Sequence, residues 1–237
     1  MSDRATVTPI SSIGARITTQ DWPWAREQRG RIDEHWQRLV EANPALFNGR
    51  VLVRRSQSLR KGHLSLDYSE TDYSAFLAFR DWGFPDPAAG NGFAMAALRS
   101  EDGAYLLGLM GDHTANAGLA YFPAGTPDPG DVLADGTVDL AGSVLRELAE
   151  ETGLAGDDVD VTDRWTAVFA GARTAMMREV RFRGSASEAR DRVRAFLATE
   201  REPELSDLCI VRGIADIEAR TMPLFMQAFL HDAFDRR

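Results

Sequence analysis

One cysteine in 237 residues, Cys209, leaves no partner for an intrachain disulfide. It sits in the apolar run Leu208-Cys209-Ile210-Val211, which predicts a buried, inert thiol and a reducing compartment. Long apolar runs are also missing. No stretch reaches the ~18 residues that read as a bilayer span, and Met1-Ser2-Asp3-Arg4-Ala5-Thr6 is not followed by the apolar segment of a signal peptide. A cytoplasmic protein with no membrane partner is therefore expected. Lysine is nearly absent: of 27 Lys and Arg residues only Lys61 is lysine, so the positive charge is almost entirely guanidinium, suited to planar contacts with carboxylate or phosphate. The net charge of −9 argues against a nucleic-acid polymer as partner but leaves a small phosphate ligand open. His35, His63, His113 and His231 are scattered without zinc-ligand spacing. There is no internal repeat and no low-complexity segment.

What remains is 44% apolar and 27% charged, enough for a large core in a mixed α/β or α+β unit. Trp24 to Glu41 carries an amphipathic pattern that Asn43-Pro44 ends. Val51–Val53 and the alternating Leu64, Leu66 and Tyr68 predict strands, and Tyr73 to Trp82 a short helix. Two prolines and two glycines in the segment from Phe84 to Gly92 predict a linker or an ordered loop. Phe93–Leu98 and Tyr105–Met110 flank a turn at Ser100-Glu101-Asp102-Gly103 and predict a hairpin. A strand at Leu119–Phe122, a long loop from Pro123 to about Val138, and a helix from about Asp139 to Thr152, closed by Gly153, come next. Further strands are expected at Thr166–Ala170, Met177–Phe182 and Leu208–Val211. Ser185 and Glu188 open a capped helix, and a last helix runs from about Pro223 to Phe234.

Chemistry concentrates in Arg146-Glu147-Leu148-Ala149-Glu150-Glu151-Thr152-Gly153-Leu154. On a helix Glu147, Glu150 and Glu151 share one face, while Ala141, Val144, Leu145 and Leu148 form an adjacent apolar stripe. Three carboxylates so close repel one another and oppose the helix dipole, so a cation should compensate, and oxygen-liganded Mg2+ suits the role. A merely solvated acidic face is the alternative.

This segment resembles the C-terminal half of the Nudix box, Arg-Glu-aliphatic-any-Glu-Glu-any-Gly-aliphatic, at every specified position. The N-terminal half departs from it. Phe122-Pro123-Ala124-Gly125 stands where the family has a Gly-Gly turn, Asp131 replaces a glutamate, and residues 132–138 read as an insertion. Asn43-Pro44-Ala45-Leu46-Phe47-Asn48-Gly49, Thr71-Asp72-Tyr73 and Gly90-Asn91-Gly92 are similar to the amino-terminal region of a branch that includes UDP-glucose-hydrolysing Nudix proteins. The resemblance implies an α/β/α sandwich with a mixed sheet over residues 1–237. Residues 1–90 would be an N-terminal helical and strand extension, and the box would lie at about 125–154. It implies Mg2+- or Mn2+-dependent hydrolysis of a nucleoside diphosphate linked to another group, a nucleotide sugar among the options. A Nudix-like module that binds a nucleotide without cleaving it is the alternative.

By the same resemblance Glu147, Glu150, Glu151 and the carbonyl of Ala124 would hold metal and Arg146 would support the glutamates. Gly125, Asp131 and Gly153 would be structural parts of the motif. The general base would be a helix glutamate, Glu202 or Glu204 from a later loop, or Glu179. Three further features have bland readings beside functional ones. His113, in the polar loop 111–118, is a substrate contact or part of a turn. Arg178, Arg181 and Arg183 meet phosphate or guard an edge strand, and Trp22, Trp24 and Trp36 read as core or interface. Oligomeric state is not legible in the sequence, a homodimer being one option.

Overall fold

Phe93, Met95 and Ala97 point to one face of β5 (Asn91–Ser100), Ala94, Ala96 and Leu98 to the other, and all six are buried. A strand buried on both faces belongs in the middle of a sheet with helices on each side. The computed structural model, which describes residues 5–236, has that architecture; residues 1–4 of the polar start and residue 237 lie outside the described residues. On one flank β5 runs parallel to β9 (Arg173–Phe182), and the sheet continues through β8 (Val159–Ala170) to β1 (Thr6–Ile10). On the other it meets β6 (Tyr105–Met110), which pairs with β10 (Leu205–Val211) and β7 (Ala120–Tyr121). Helices α4 (Leu140–Thr152) and α5 (Ala186–Leu197) cover one face through Val144, Leu148, Val193 and Leu197, and α6 (Leu224–Asp235) covers the other through Phe225, Met226, Phe229 and Leu230. The result is an α/β/α sandwich on a mixed sheet, the class the sequence predicts.

A second sheet, ordered β2 (Ser12–Ile17), β4 (His63–Asp72), β3 (Arg50–Arg60), contributes Leu52, Leu64, Leu66 and Tyr68 to the same core as α4. Its register against the first sheet is set by Leu52 N–H on the Pro127 carbonyl (2.7 Å) and by paired bonds between Arg54 and Gly90 (3.0 and 2.9 Å). Three of the short segments singled out in the sequence act here. Asn48 Oδ1 accepts the Ser74 N–H (2.8 Å) and the Gly49 carbonyl accepts the Tyr73 N–H (2.9 Å), so Asn48-Gly49 supplies the start of α3 (Tyr73–Asp81) with the partners its exposed N–H groups need.

Several expectations are corrected. The helix expected from Trp24 to Glu41 is two, α1 (Pro23–Glu27) and α2 (Arg29–Ala42), broken at Gln28. Trp22 stacks on Trp24 (4.9 Å) and packs edge-on to Phe79 (5.0 Å), which fixes α1 against the core independently of the side of α2 that buries Ile32. β9 is no edge strand, since β8 and β5 flank it. The three arginines singled out there are occupied: Arg178 bonds the Thr162 carbonyl (3.0 Å), Arg181 bonds Glu179 (2.7 Å), and Arg183, just past the strand end, bonds the Asp157 carbonyl (3.1 Å). Cys209 is half-buried rather than enclosed, and its thiol pKa is raised, chiefly by burial. Among the described residues, no helix is long and apolar enough to cross a membrane.

The extra loop residues make a small excursion. Val132 bridges Val138, and the Asp139 N–H returns to the Asp131 carbonyl (2.8 Å), so the insertion leaves and re-enters the chain at nearly one point. Its outer part adds to β2 through Ile17 N–H on Gly136 (2.9 Å) and Val138 N–H on Ala15 (2.9 Å). Residues 132–138 therefore tie β2 to the start of α4 while Asp131 stays bonded to Arg146.

Candidate functional site

Helix α4 starts where Asp139 accepts the Gly142 N–H (2.9 Å) and stops at Gly153, which is left-handed at φ 71°. A Cβ at Gly153 would also strike the Phe196 ring. G153A is expected to cost about 1–3 kcal/mol in urea unfolding, from the positive φ and the clash together. A change within about 0.5 kcal/mol would contradict this account of the helix end. Burial of Val144 and Leu148 anchors the helix, at about 2 kcal/mol each. Leu145, expected in that stripe, is 36% exposed, because the core contacts α4 over a narrower arc than the sequence pattern suggests.

That anchoring turns the acidic edge inward. Among the described residues β5 is in register with β6 at Arg99 and Tyr105. Further along, Ala96 N–H bonds the Pro123 carbonyl (3.1 Å), so the segment after β7 takes over the edge of β5. This carries Ala124 and Gly125 onto α4. Ala124 N–H donates to Glu151 Oε1 (3.0 Å), and a Cβ at Gly125 would run into the Glu147 carboxylate. Glycine is needed at 125 because the carboxylate lies directly against the backbone.

The three glutamates differ in setting. Glu151 is 6% exposed, its Oε2 is buried with no partner, and burial first, then Glu204, Glu147 and Glu150, push its pKa up to about 9 against the pull of the Ala124 bond. Glu147 is raised to about 7, mainly by burial, with Arg146 opposing and Glu150 and Glu204 adding. Glu150 is exposed and turned to Arg146 (3.3 Å). The convergence expected from helical spacing is therefore incomplete: among the described residues no three Asp, Glu, His or Cys side chains gather as a metal-holding group. Helical spacing brings Cβ atoms to one face but leaves rotamers free, and Arg146 takes two of the carboxylates, Glu147 at 2.7 Å and Glu150 at 3.3 Å.

Arg146 Nη2 also bonds the buried Asp131 (2.8 Å), which in turn accepts the Asp128 N–H (3.1 Å). Asp131 thus braces the arginine from behind. Glu204 is exposed, its backbone carbonyl accepts the Gly111 N–H (2.8 Å), and its charge acts on Glu147 and Glu151. Glu202 is exposed, with no ion pair among the described residues. Glu179 is held by Arg164 and Arg181 on β9.

Ala124 and Gly125 form one wall of a cavity of about 370 Å3. Its other walls carry Tyr73 and Asn91, from the segments 71–73 and 90–92 singled out in the sequence, and groups no motif announced: Phe76 and Arg80 of α3, Phe93 of β5, Tyr121, Arg173 and Phe225. Loop 111–118 reaches the cavity through Asn116, which bonds the Tyr121 hydroxyl (3.0 Å), whereas His113 is exposed and absent from the lining. The signal that could have found α3 was its amphipathic aromatic content beside the Thr71-Asp72-Tyr73 segment. Nothing local marks Arg173.

No protein-family model and no curated protein matches the chain. Among solved structures it is similar to a Nudix hydrolase of M. smegmatis, RenU, at 15% identity over 62% of this chain and 84% of that one, with a TM-score of 0.39. It is also similar to a MutT protein of Methanosarcina mazei Go1, at 21% identity over 61% and 92% of the two chains and a TM-score of 0.37. The Bacillus subtilis pyrophosphohydrolase BsRppH, solved as a point mutant, aligns at 14% identity over 67% and 85%, with a TM-score of 0.32. At these TM-scores the likenesses leave the reading of the site to its own residues.

Proposed function

We propose that this protein hydrolyses the pyrophosphate bond of a nucleoside diphosphate linked to another group, with Mg2+ or Mn2+ held by the α4 glutamates, as the Nudix box resemblance implies. The observation that carries the reading is Glu151: a buried carboxylate with one oxygen orphaned, beside a backbone turn that opens into a cavity. An ionised carboxylate buried without a counter-charge costs several kcal/mol, and a divalent cation removes that cost. The donor set suits a hard cation, being carboxylate and carbonyl oxygen only. Glu147, Glu151 and the Ala124 carbonyl would hold it, with Glu150 turning in from an exposed pair with Arg146 worth under about 1 kcal/mol.

Such a cation supplies Lewis-acid chemistry, neutralising phosphoryl charge and acidifying water. The chain's own groups do the rest. Arg146, braced by Asp131, keeps Glu147 and Glu150 oriented. Glu204, on the loop facing the cluster, is the favoured candidate to take the proton of the attacking water; Glu202 faces solvent and Glu179 is occupied by two arginines. Tyr73, Phe76, Phe93, Tyr121 and Phe225 give aromatic walls for a base or sugar. Residues 1–90 are read as an extension of one Nudix-like unit, because α3 supplies part of that wall.

The test is a hydrolysis screen of nucleotide sugars, ADP-ribose, dinucleoside polyphosphates, coenzyme A and nucleoside triphosphates in Mg2+ or Mn2+, with products identified by mass. At least one compound should be split at its pyrophosphate bond, and a chelator should abolish the reaction. Tight binding with turnover of none would make the protein a nucleotide-binding module instead.

A further inference from the structure

Arg80 and Arg173 both line the cavity, and their charges are poorly balanced. Arg173 opens β9, is half-buried, and lies over the Phe84 ring at 4.6 Å; among the described residues no carboxylate pairs with it. Arg80 gives only its Nε to an acid, Asp81 (2.9 Å), whose other oxygen is taken by His35 (2.9 Å). Arg54, 8% exposed and without an acidic partner among the described residues, is bonded to the Ala172 carbonyl (3.2 Å) just before Arg173. Beside them the Oδ1 of Asn91 is buried with no partner. Burial first, then the charge of Arg80, works against the charged form of Arg173. Cations gathered in a half-buried site with fewer acids than guanidiniums are stabilised when an anion enters, and a guanidinium presents a fork that fits phosphate or carboxylate.

Position along β5 sets the backbone of Arg173 apart from the turn that carries Ala124. Arg173 is in register with Asn91 at the start of β5, whereas the Pro123 turn bonds Ala96. Ala96 is five residues further along the strand, roughly 16 Å along the backbone.

We propose that Arg80 and Arg173 form a second anion subsite, which takes a phosphate or carboxylate carried on the substrate away from the scissile pyrophosphate. This rests on the reading that the pyrophosphate lies at the α4 glutamates. The preferred ligands are then pyrophosphate compounds with an extra negative group, and specificity is set by the helix α3 that the N-terminal region contributes.

Calorimetry in a chelator, where no turnover occurs, tests this with two matched pairs: NADPH against NADH for a phosphate, and UDP-glucuronate against UDP-glucose for a carboxylate. At least one charged member should bind the wild-type protein tenfold or more tighter than its neutral partner. R173Q should bring the two members of that pair within threefold, while leaving the neutral one within threefold of its wild-type Kd. R80Q provides the same comparison should R173Q fold poorly. Equal affinities within both pairs for the wild-type protein would overturn the subsite. So would a well-folded R173Q that weakens both members alike, because the arginine would then hold the shared diphosphate. Charge preference without hydrolysis of any compound would keep the subsite and sink the hydrolytic reading. Hydrolysis without charge preference would do the reverse.

Discussion

E151Q is expected to lower kcat by three orders of magnitude or more in saturating Mg2+ while making the metal-free protein more stable at pH 8. The two effects share one cause. Glu151 is buried with an orphaned oxygen, and its pKa is pushed up to about 9, so at pH 8 the folded protein must hold a proton that the unfolded chain releases. Glutamine keeps the oxygen that accepts the Ala124 N–H but never ionises, so folding no longer carries that penalty. The gain is on the order of a few kcal/mol, read as a higher Tm or urea midpoint. Catalysis moves the other way, because the amide cannot supply the negative charge that the cation needs; losing about 4 kcal/mol of transition-state stabilisation is a thousandfold. An E151Q protein that is less stable than wild type at pH 8, or turns over at a near-wild-type rate, would remove Glu151 from the role assigned to it.

The second large effect is the pH dependence of the metal-free protein. Glu147 and Glu151 have folded pKa values of about 7 and about 9, above the ordinary 4.5. An acid whose pKa is raised by folding contributes stability that is complete below its unfolded pKa and disappears as pH rises through the folded one. Stability in a chelator should therefore be highest near pH 5 and fall by a few kcal/mol toward pH 9. Asp102, held at about 2 by Ser100 and Arg212, acts in the opposite sense but only below about pH 4. Millimolar Mg2+ or Mn2+ should reverse the alkaline loss and do little at pH 5, since bound carboxylates must be ionised. Urea midpoints across pH 5–9, with and without metal, give the answer. A flat metal-free profile, or metal stabilisation as large at pH 5 as at pH 9, would contradict this electrostatic picture.

The parts of this molecule that are legible in its sequence are those fixed by neighbours along the chain. Asp139, Gly153, Ser185 and Glu188 set the ends of α4 and α5 by hydrogen bonds within a few residues, and both helices lie where those residues put them. The α4 acids are readable for the same reason, down to which face they share. Their rotamers are not, because Arg146 decides where Glu150 points. The order of strands is non-local, so Arg178, Arg181 and Arg183 fit a phosphate contact or a guarded edge equally well in sequence, and only the pairing of β9 with both β8 and β5 removes the edge reading. The excursion at 132–138 reads as an interruption of a motif, and its pairing with β2 is a tertiary contact that no local pattern records. Arg80 and Arg173 meet at one cavity through tertiary packing alone, which no spacing rule records.

The most direct measurement is a calorimetric titration of Mn2+ into wild-type protein and E151Q at pH 7.5, repeated in two buffers of different ionisation enthalpy. If Glu151 gives up its proton to hold the cation, the wild-type protein should bind with release of about one proton per ion, and E151Q should bind at least a hundredfold more weakly without that release. Equal affinity in the two proteins, or binding with no proton released, would contradict the claim that this buried glutamate is where the metal sits.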